Sequence, residues 1–336
     1  MSLSLTGNTL SHSMVRILRV NRRGFLVSVP ALSATLAAAT RLPANRNVKW
    51  ALSSALWRHY PPCPFTTILD VMKATGFIGV RLADFPRLLE QYGLTEAEMH
   101  RQVSKHNLHV VTISWGGPLC DPAQRRQVLE SARTAMKFLA DFGANHLVVF
   151  SPGRTKPGAN TPAAFRELCA RCDQIGEVAG EMGFTAGLHN HLGEMVQTPE
   201  EVDRFMAMTD PKLFGLSPDT AHLYLAGCDV VGTLNRYKHC IHFLDYKDAK
   251  WTTPGRDWVL PNGQVLPKDS PMARFYASIY NLGDGGVDFP GCHRVLKSVN
   301  YGGWICVDLD TAREGPLSSY ERCGAYVVKK LQPIYL

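Results

Sequence analysis

The stretch LSPDTAHLYLAG, residues 216–227, places an aspartate and a histidine three positions apart, with apolar residues before them and a helix-like run after them. Two interpretations are open for Asp219 and His222. They could form a satisfied pair inside the core, or Asp219 could be a metal ligand with His222 beside it as a substrate contact. Because one strand cannot distinguish the two, the rest of the chain has to decide.

Short apolar runs alternate with amphipathic segments from about residue 48 onward. The strand-like runs are VKWALSSALW, GVRLADF, LHVVTISW, NHLVVFSPG, FTAGLHNH, FGLSPDTAH, IHFLDYKD and WICVDLD. Glycines expected in left-handed conformation follow the helical segments between them, at Gly76, Gly143, Gly183 and Gly302. About eight strand–helix units predict an α/β fold, a single (β/α)8 TIM barrel over residues 45–336.

The first 44 residues have the pattern of an export signal. Four arginines precede the apolar run FLVSVPALSATLAAA, and Arg22-Arg23 followed by Gly24 resembles a twin-arginine signal. We therefore expect a signal peptide over residues 1–44, export to the periplasm, and no stable membrane insertion after processing. A mitochondrial-type presequence or an uncleaved anchor is the alternative.

The charge of the chain lies mostly in that segment. Residues 1–44 contain five arginines and no acidic residue, so the formal charge of +7 falls to 7 − 5 = +2 for the remainder. Such a balance gives no broad electrostatic reason to bind nucleic acid. It argues against a DNA-cleaving enzyme in particular.

The nine cysteines do not form an obvious disulfide or zinc pattern. An odd number leaves at least one unpaired, and Cys169 and Cys172 form a C-x-x-C inside a helical segment with no second pair. We interpret these two as core residues rather than zinc ligands.

Polar side chains collect at the ends of four consecutive predicted strands, where the active site of such a barrel lies. They are His189, His191 and Glu194 after strand five, Asp219 and His222 after strand six, Asp245, Lys247 and Asp248 on strand seven, and Asp308 and Asp310 on strand eight. Imidazole and carboxylate ligands without a thiolate suit manganese, magnesium, cobalt or zinc. The pattern predicts one divalent metal ion, with Asp219 among its ligands.

A long segment, residues 251–288, interrupts the alternation after strand seven. It is rich in Pro and Gly and carries five aromatic residues: Trp251, Trp258, Phe275, Tyr276 and Tyr280. A loop of this length on the active face is typical of a lid or a substrate wall. We therefore predict an active-site loop here.

The segments HNHLGE, DTAHLYLAG, YKDAK, LGDGGVDFPG and GGWICVDLD resemble the xylose isomerase-like barrel superfamily, also called sugar phosphate isomerases/epimerases. The nearest branch contains the inosose dehydratases, with an H-N-H-x-x-E motif. The resemblance implies four metal ligands: His189, Asp219, Asp245 and Asp308.

The predicted ligand set departs from the family pattern at three of its four positions. His189 and Asp308 replace glutamates, and Asp245 replaces a histidine. A set of three aspartates and one histidine would be hard and favour manganese or magnesium. Glu194 would reach the metal if its loop bends, and would otherwise bind a sugar hydroxyl.

The activity that the resemblance implies is proton abstraction next to the carbonyl of a keto-sugar or cyclitol, catalysed by a metal-dependent isomerase or epimerase. His191, His222 and Lys247 are the candidates for acid–base or oxyanion roles, although Lys247 could instead cap a strand with Asp248. Glu194 and Lys250 are the candidate substrate-binding residues. The substrate would be a small carbohydrate, and homo-oligomer formation stays open.

Two alternatives remain for the function. One is a metal-dependent dehydratase or lyase, either inosose dehydratase-like or acting on 3-keto-glycosides by β-elimination. The other is a non-catalytic sugar-binding barrel, because substituted ligands can mean a lost metal.

Overall fold

The computed structural model describes residues 47–155 and 161–335. The predicted signal, residues 1–44, lies outside the described residues. Within the described ranges, no helix is long and apolar enough to cross a membrane.

Eight parallel strands form one sheet, in the spatial order β6-β5-β4-β3-β2-β1-β8-β7. They are β1 Lys49–Ser53, β2 Gly79–Leu82, β3 His109–Gly116, β4 His146–Phe150, β5 Thr185–His189, β6 Gly215–Leu216, β7 Leu244–Tyr246 and β8 Trp304–Val307. The remaining seam, between β6 and β7, carries isolated parallel bridges from Leu216 to Ile241 and from Asp219 to Asp245. The predicted α/β barrel is thereby confirmed as a TIM-barrel-like fold of eight parallel strands. Seven strands fall within the runs expected from the sequence, and β3 extends one residue beyond its run, to Gly116.

Helices follow the strands along the chain. They are α1 Phe65–Ala74, α2 Arg87–Tyr92, α3 Glu96–Lys105, α4 Arg125–Asp141, α5 Pro162–Glu181, α6 Pro199–Met208, α7 Thr220–Leu225, α8 Val230–Tyr237, α9 Pro271–Ala277, α10 Phe289–Ser298, α11 Pro316–Tyr326 and α12 Gln332–Tyr335. Thr95 and Glu98 begin α3 with a reciprocal pair of side-chain to backbone hydrogen bonds, and Thr198 and Glu201 do the same for α6.

The glycines expected after helices mostly behave as predicted. Gly76, Gly143 and Gly183 have φ of 80°, 73° and 74°. The expectation for Gly302 was wrong, because α10 ends earlier and Asn300 takes the left-handed conformation instead, with φ of 54°. Asparagine tolerates this region better than other residues with a Cβ.

The cysteines contribute to packing. Cys169 and Cys172 are buried in the main hydrophobic core. The interpretation of the C-x-x-C as core is confirmed.

The barrel interior contains a small apolar layer beneath a charged one. Ala51, Val111, Val148, Phe243 and Cys306 form a buried cluster of their own. Two positions after Ala51, Phe243 and Cys306, the buried residues are polar: Ser53, Asp245 and Asp308. They begin a buried charged layer at the carboxyl ends of the strands.

The segment 251–288 contains regular secondary structure. It contains a two-stranded ribbon, Trp258–Val259 with Val265–Leu266, followed by α9 and by Ile279–Tyr280, which pairs with Asp248–Ala249. Asp248 holds the C-terminal end of this segment, because its carboxylate accepts hydrogen bonds from the backbone N–H groups of Gly283, Gly285 and Val287 at 2.8–3.1 Å.

Candidate active site

The two carboxylate oxygens of Asp219 have different roles. Oδ1 accepts hydrogen bonds from the backbone N–H groups of Ala221 at 2.9 Å and His222 at 3.1 Å, so Asp219 is the N-cap of α7. Oδ2 faces the barrel interior, fully buried and without a well-aligned hydrogen bond from the described residues. Asn190 holds the backbone of Asp219 in place, since its Oδ1 accepts from the Asp219 N–H at 3.0 Å.

Three side chains form a group able to hold a metal ion: His189, Asp219 and His222. Nε2 of His189 and Nε2 of His222 each lie 3.9 Å from Oδ2 of Asp219, and all three residues are buried. Within the described part of the chain, this is the one group of three such residues whose ligand atoms lie within 4.8 Å of one another. The buried carboxylate oxygen between two imidazole nitrogens fits a divalent cation.

Asp245 lies behind His189 rather than beside the other ligand atoms. Its Oδ2 is 3.1 Å from Nδ1 of His189, with the N–H not aimed straight at it. A proton on Nδ1 leaves the lone pair on Nε2, the nitrogen that faces Asp219. A carboxylate behind a ligating imidazole commonly fixes its ring orientation and tautomer in this way.

Arg81 is the main residue that the sequence reasoning missed. Its side chain is only 2% exposed, and its guanidinium lies 3.3 Å from Oδ1 of Asp245 and 2.9 Å from Oδ2 of Asp308. It also donates to Oγ of Ser53 and Oγ of Ser114, each at 3.1 Å. Alternation within GVRLADF could have placed Arg81 inside the barrel, but not opposite β7 and β8.

Lys247 lies among the carboxylates. Its Nζ is 2.7 Å from Asp308, 2.7 Å from Asp310 and 3.0 Å from Asp219. It does not cap a strand with Asp248, whose carboxylate instead binds the backbone of the 283–287 loop. The layer therefore holds two basic side chains against the four carboxylates of Asp219, Asp245, Asp308 and Asp310.

Burial and charge move the pKa values of these acids in opposite directions. Burial raises the pKa of Asp219 to about 6 and that of Asp245 to about 7, despite nearby Lys247 and Arg81. Burial opposes ionisation of Asp308 as well, but Lys247 and Arg81 hold its pKa well below the usual range. The cluster thus has more carboxylates than resident cations, which suits an added divalent charge.

The histidines of the site are neutral. Burial lowers the pKa of His189 and of His191 to about 3, and the pKa of His222 well below its ordinary value. Nδ1 of His191 lies 2.7 Å from the carbonyl oxygen of Leu192, which can only accept. His191 therefore carries its proton on Nδ1 and a lone pair on Nε2.

His222 is approached by a donor at each ring nitrogen. The Leu192 N–H lies 3.3 Å from Nδ1, and Nζ of Lys247 lies 3.3 Å from Nε2. A neutral imidazole has one lone pair, so only one of these contacts is a hydrogen bond at a time. A cation at Nε2 would replace Lys247 there and require the Leu192 contact to be given up.

The other predicted residues lie further from this group. Glu194 is half-buried and accepts from Oγ of Ser151 at 3.1 Å, while Lys250 is exposed. His242 was also open as a replacement ligand if the register of β7 differed, but it lies next to His146 at the amino ends of the strands, with ring centroids 6.1 Å apart. The site thus contains His189, His191, Asp219, His222 and Lys247, with Asp245 and Asp308 bound to Arg81.

Part of the 251–288 segment packs on this site. The Phe275 ring stacks on His222 with centroids 5.4 Å apart, and the Tyr276 hydroxyl lies 3.0 Å from Nε2 of His59. The predicted segment therefore contributes an aromatic wall beside the candidate metal group.

Comparisons with known proteins show what this chain is similar to. The chain is 35% identical over 153 residues to an inosose dehydratase of Bacillus velezensis, covering 45% of this chain and 49% of the relative. It is 26% identical over 258 residues to an inosose dehydratase of Geobacillus thermodenitrificans, covering 73% and 82%. The chain thus spans about half the length of the first relative and most of the second.

A solved structure of the IolI protein with a bound zinc atom has the same fold, with a TM-score of 0.64 at 12% identity, over 85% of this chain and 99% of that one. The sequence profile described as Xylose isomerase-like TIM barrel matches residues 69–322. The chain belongs to the xylose isomerase-like TIM barrel family.

Proposed function

We propose that this protein is a carbohydrate lyase of the dehydratase type, which removes water from a keto-cyclitol or keto-sugar after taking a proton next to the carbonyl. The observation that carries the proposal is that a neutral imidazole and an ammonium group both lie beside the candidate metal group. The ring centroid of His191 lies 3.8 Å from that of His222, and Nζ of Lys247 lies 3.0 Å from Oδ2 of Asp219. The inosose dehydratase relatives support elimination over isomerisation.

His189, Asp219 and His222 would hold one divalent metal ion. When bound, the metal would act as a Lewis acid toward a carbonyl oxygen of the substrate and so make the neighbouring C–H more acidic.

His191 is the proposed base. Burial lowers the pKa of its imidazole to about 3, so the ring is neutral at pH 7. Its Nδ1–H donates to the Leu192 carbonyl, which leaves Nε2 to accept a proton. The tautomer is thereby set before substrate binds.

Lys247 is the proposed acid. Burial alone would lower the pKa of the ammonium group, but Asp219, Asp308 and Asp310 together raise it well above its usual range, so Lys247 is protonated. In the elimination, the C–H electron pair forms the new C=C bond, His191 takes the proton, and the C–O bond breaks. The hydroxyl leaves as water with a proton from Lys247.

The test is incubation with inosose, other keto-sugars and 3-keto-glycosides in deuterated water, with analysis of products by mass spectrometry and NMR. A dehydratase gives an enone or its tautomer, 18 mass units lighter before exchange. His191→Gln should lower kcat by about 100-fold or more, because it removes the base while retaining a polar side chain. The exposed His239→Gln is the matched control. Product formation by His191→Gln at the control rate would exclude His191 as the base.

The isomerase or epimerase function is the second candidate, favoured by the family itself. It would begin with the same proton transfer but return a proton to carbon, giving a deuterated sugar without loss of water. A non-catalytic sugar-binding barrel would bind these compounds without exchange or product.

A further inference from the structure

The guanidinium of Arg81 lies between two of the four expected metal ligands. Its Nε is 3.3 Å from Oδ1 of Asp245, and its Nη2 is 2.9 Å from Oδ2 of Asp308. The hydroxyls of Ser53 and Ser114 accept from the same group and fix its plane. An arginine keeps its charge at every accessible pH, so these pairs persist.

Asp245 and Asp308 each face more than one basic partner. Asp245 lies between Arg81 on one oxygen and Nδ1 of His189 on the other. Oδ2 of Asp308 is shared by Arg81 at 2.9 Å and Lys247 at 2.7 Å. Oδ2 of Asp219 lies 3.0 Å from Nζ of Lys247 and 3.9 Å from each of the two imidazole nitrogens. Within the described residues, no ion pair joins Asp219 to Arg81, and in this it differs from Asp245 and Asp308.

We propose that Arg81 keeps Asp245 and Asp308 out of the metal's ligand set, so that His189, Asp219 and His222 alone supply the protein ligands. Asp245 then acts as a positioning residue, which orients His189 from behind. The inference rests on the metal site of the proposed function and deepens it.

The consequence is a change in metal preference. Four ligands with three aspartates would be hard and suit manganese or magnesium. Two imidazoles and one carboxylate form a nitrogen-rich set that favours zinc or cobalt. Arg81 would thus be a specificity-determining residue for the cation, although it does not touch the cation.

The test is titration of the chelator-treated full chain with Zn²⁺, Co²⁺ and Mn²⁺ against a chromophoric competitor, with the visible absorption of the Co²⁺ form as a second readout. We expect one ion per chain and tighter binding of Zn²⁺ and Co²⁺ than of Mn²⁺. Asp219→Asn should weaken metal binding by more than about 100-fold. This is more than the loss typical of a residue that contacts a metal ligand but not the metal itself. Asp308→Asn and Asp245→Asn should weaken it less than about 10-fold and leave the Co²⁺ spectrum unchanged, since an asparagine at 245 still accepts from His189.

Two more variants separate positioning from ligation. Asp245→Ala removes the partner of His189 and should weaken binding by about 10-fold to 100-fold, with rescue in Asp245→Asn. Arg81→Gln, where it folds, should shift preference toward Mn²⁺ because it releases two carboxylates. Asp269→Asn, an exposed aspartate, is the matched control.

The outcomes are distinct. If Asp245→Asn or Asp308→Asn loses metal as severely as Asp219→Asn, the inference is wrong while the metal site of the proposed function stands. If the unmodified chain binds none of the three ions, both are overturned. If metal binds as expected but no ketone loses water, the proposed function alone fails.

Discussion

The ammonium nitrogen of Lys247 lies 2.7 Å from Oδ2 of Asp310, and both side chains are at least nine-tenths buried. Asp310 follows β8 and Lys247 follows β7, so this ion pair joins the ends of two neighbouring strands across the candidate site. A lone buried charge is costly, and the pair is tolerated because each group neutralises the other.

Replacing Lys247 should therefore destabilise the fold as well as the activity. Lys247→Gln leaves Asp308 and Asp310 without their shared cation, and we expect the free energy of unfolding to fall by about 3 kcal/mol or more. Urea denaturation measures this. The exposed Lys105→Gln should change it by less than about 0.5 kcal/mol, and equal stability of the two variants would contradict the prediction.

Buried neutral histidines should make the protein sensitive to acid. Burial lowers the pKa of His293 to about 4, against about 6.5 in the unfolded chain, so the unfolded state binds the proton first as pH falls. The contribution of neutral His293 to the free energy of unfolding is therefore fully present above pH 6.5. It is lost as the pH falls toward 4, and the total loss is about 3 kcal/mol.

His293→Phe keeps an aromatic ring against Trp50 but removes the titration. Its free energy of unfolding should depend less steeply on pH between 6.5 and 4, by about 1.4 kcal/mol per pH unit at most. Chemical denaturation at several pH values checks the slope. The exposed His239→Gln should retain the slope of the unmodified protein, and an equal slope in His293→Phe would refute the assignment.

The conformation of the C-terminal end of the 251–288 segment should depend on Asp248. Asp248→Ala leaves the N–H groups of Gly283, Gly285 and Val287 without this acceptor. Only Val287 is buried, and loss of its hydrogen bond should cost about 1–3 kcal/mol. We expect faster limited proteolysis within this segment and lower stability. Asp248→Asn retains one acceptor oxygen, so its cleavage rate and its stability should lie between those of the unmodified protein and Asp248→Ala. Unchanged cleavage in Asp248→Ala would show that the segment is held by other contacts.

Phe275 should contribute to substrate affinity, provided that the proposed function is correct. Phe275→Ala removes the ring stacked on His222, and we expect kcat/KM for ketone elimination to fall by about 10-fold, mainly through KM, from lost apolar contact. Phe275→Leu should retain much of the activity. A fall in kcat with constant KM would assign Phe275 to positioning of His222 instead.

Export remains a prediction from Arg22 and Arg23. Replacing both by lysine should leave precursor inside the cell, because a twin-arginine signal is recognised through the pair. Cell fractionation with immunoblotting measures the distribution. Normal export of the double variant would exclude the twin-arginine route, and an accompanying deletion of residues 1–44 would test export by any route.

Local sequence patterns were sufficient to predict the barrel. The strands range from two residues in β6 to eight in β3, and they lie in mostly apolar runs between helical segments. Burial of both faces of a parallel sheet produces such runs directly. The polar residues at the ends of β5 to β8 were also predictable, because parallel strands all present their carboxyl ends to the same face.

The helix ends were predictable only where a single residue decides them. Glycine is the usual left-handed residue, which is why Gly76, Gly143 and Gly183 were identified correctly. At α10, Asn300 takes this conformation two residues before Gly302, since the helix already ends at Ser298. Asn300 and Gly302 can both adopt the left-handed conformation, and the length of α10 determines that Asn300 adopts it.

The sequence by itself determined the eight strands, the barrel, and the presence of His189, Asp219, Asp245, Lys247 and Asp308 at one end of it. Only the tertiary structure decided how these residues are paired. Arg81 is more than 160 positions before Asp245 in the chain, and barrel closure brings its guanidinium within 3.3 Å of that carboxylate. Because a charge acts through space and not along the chain, no local pattern could show that Asp245 and Asp308 face an arginine, or that Asp219 lies near both His189 and His222.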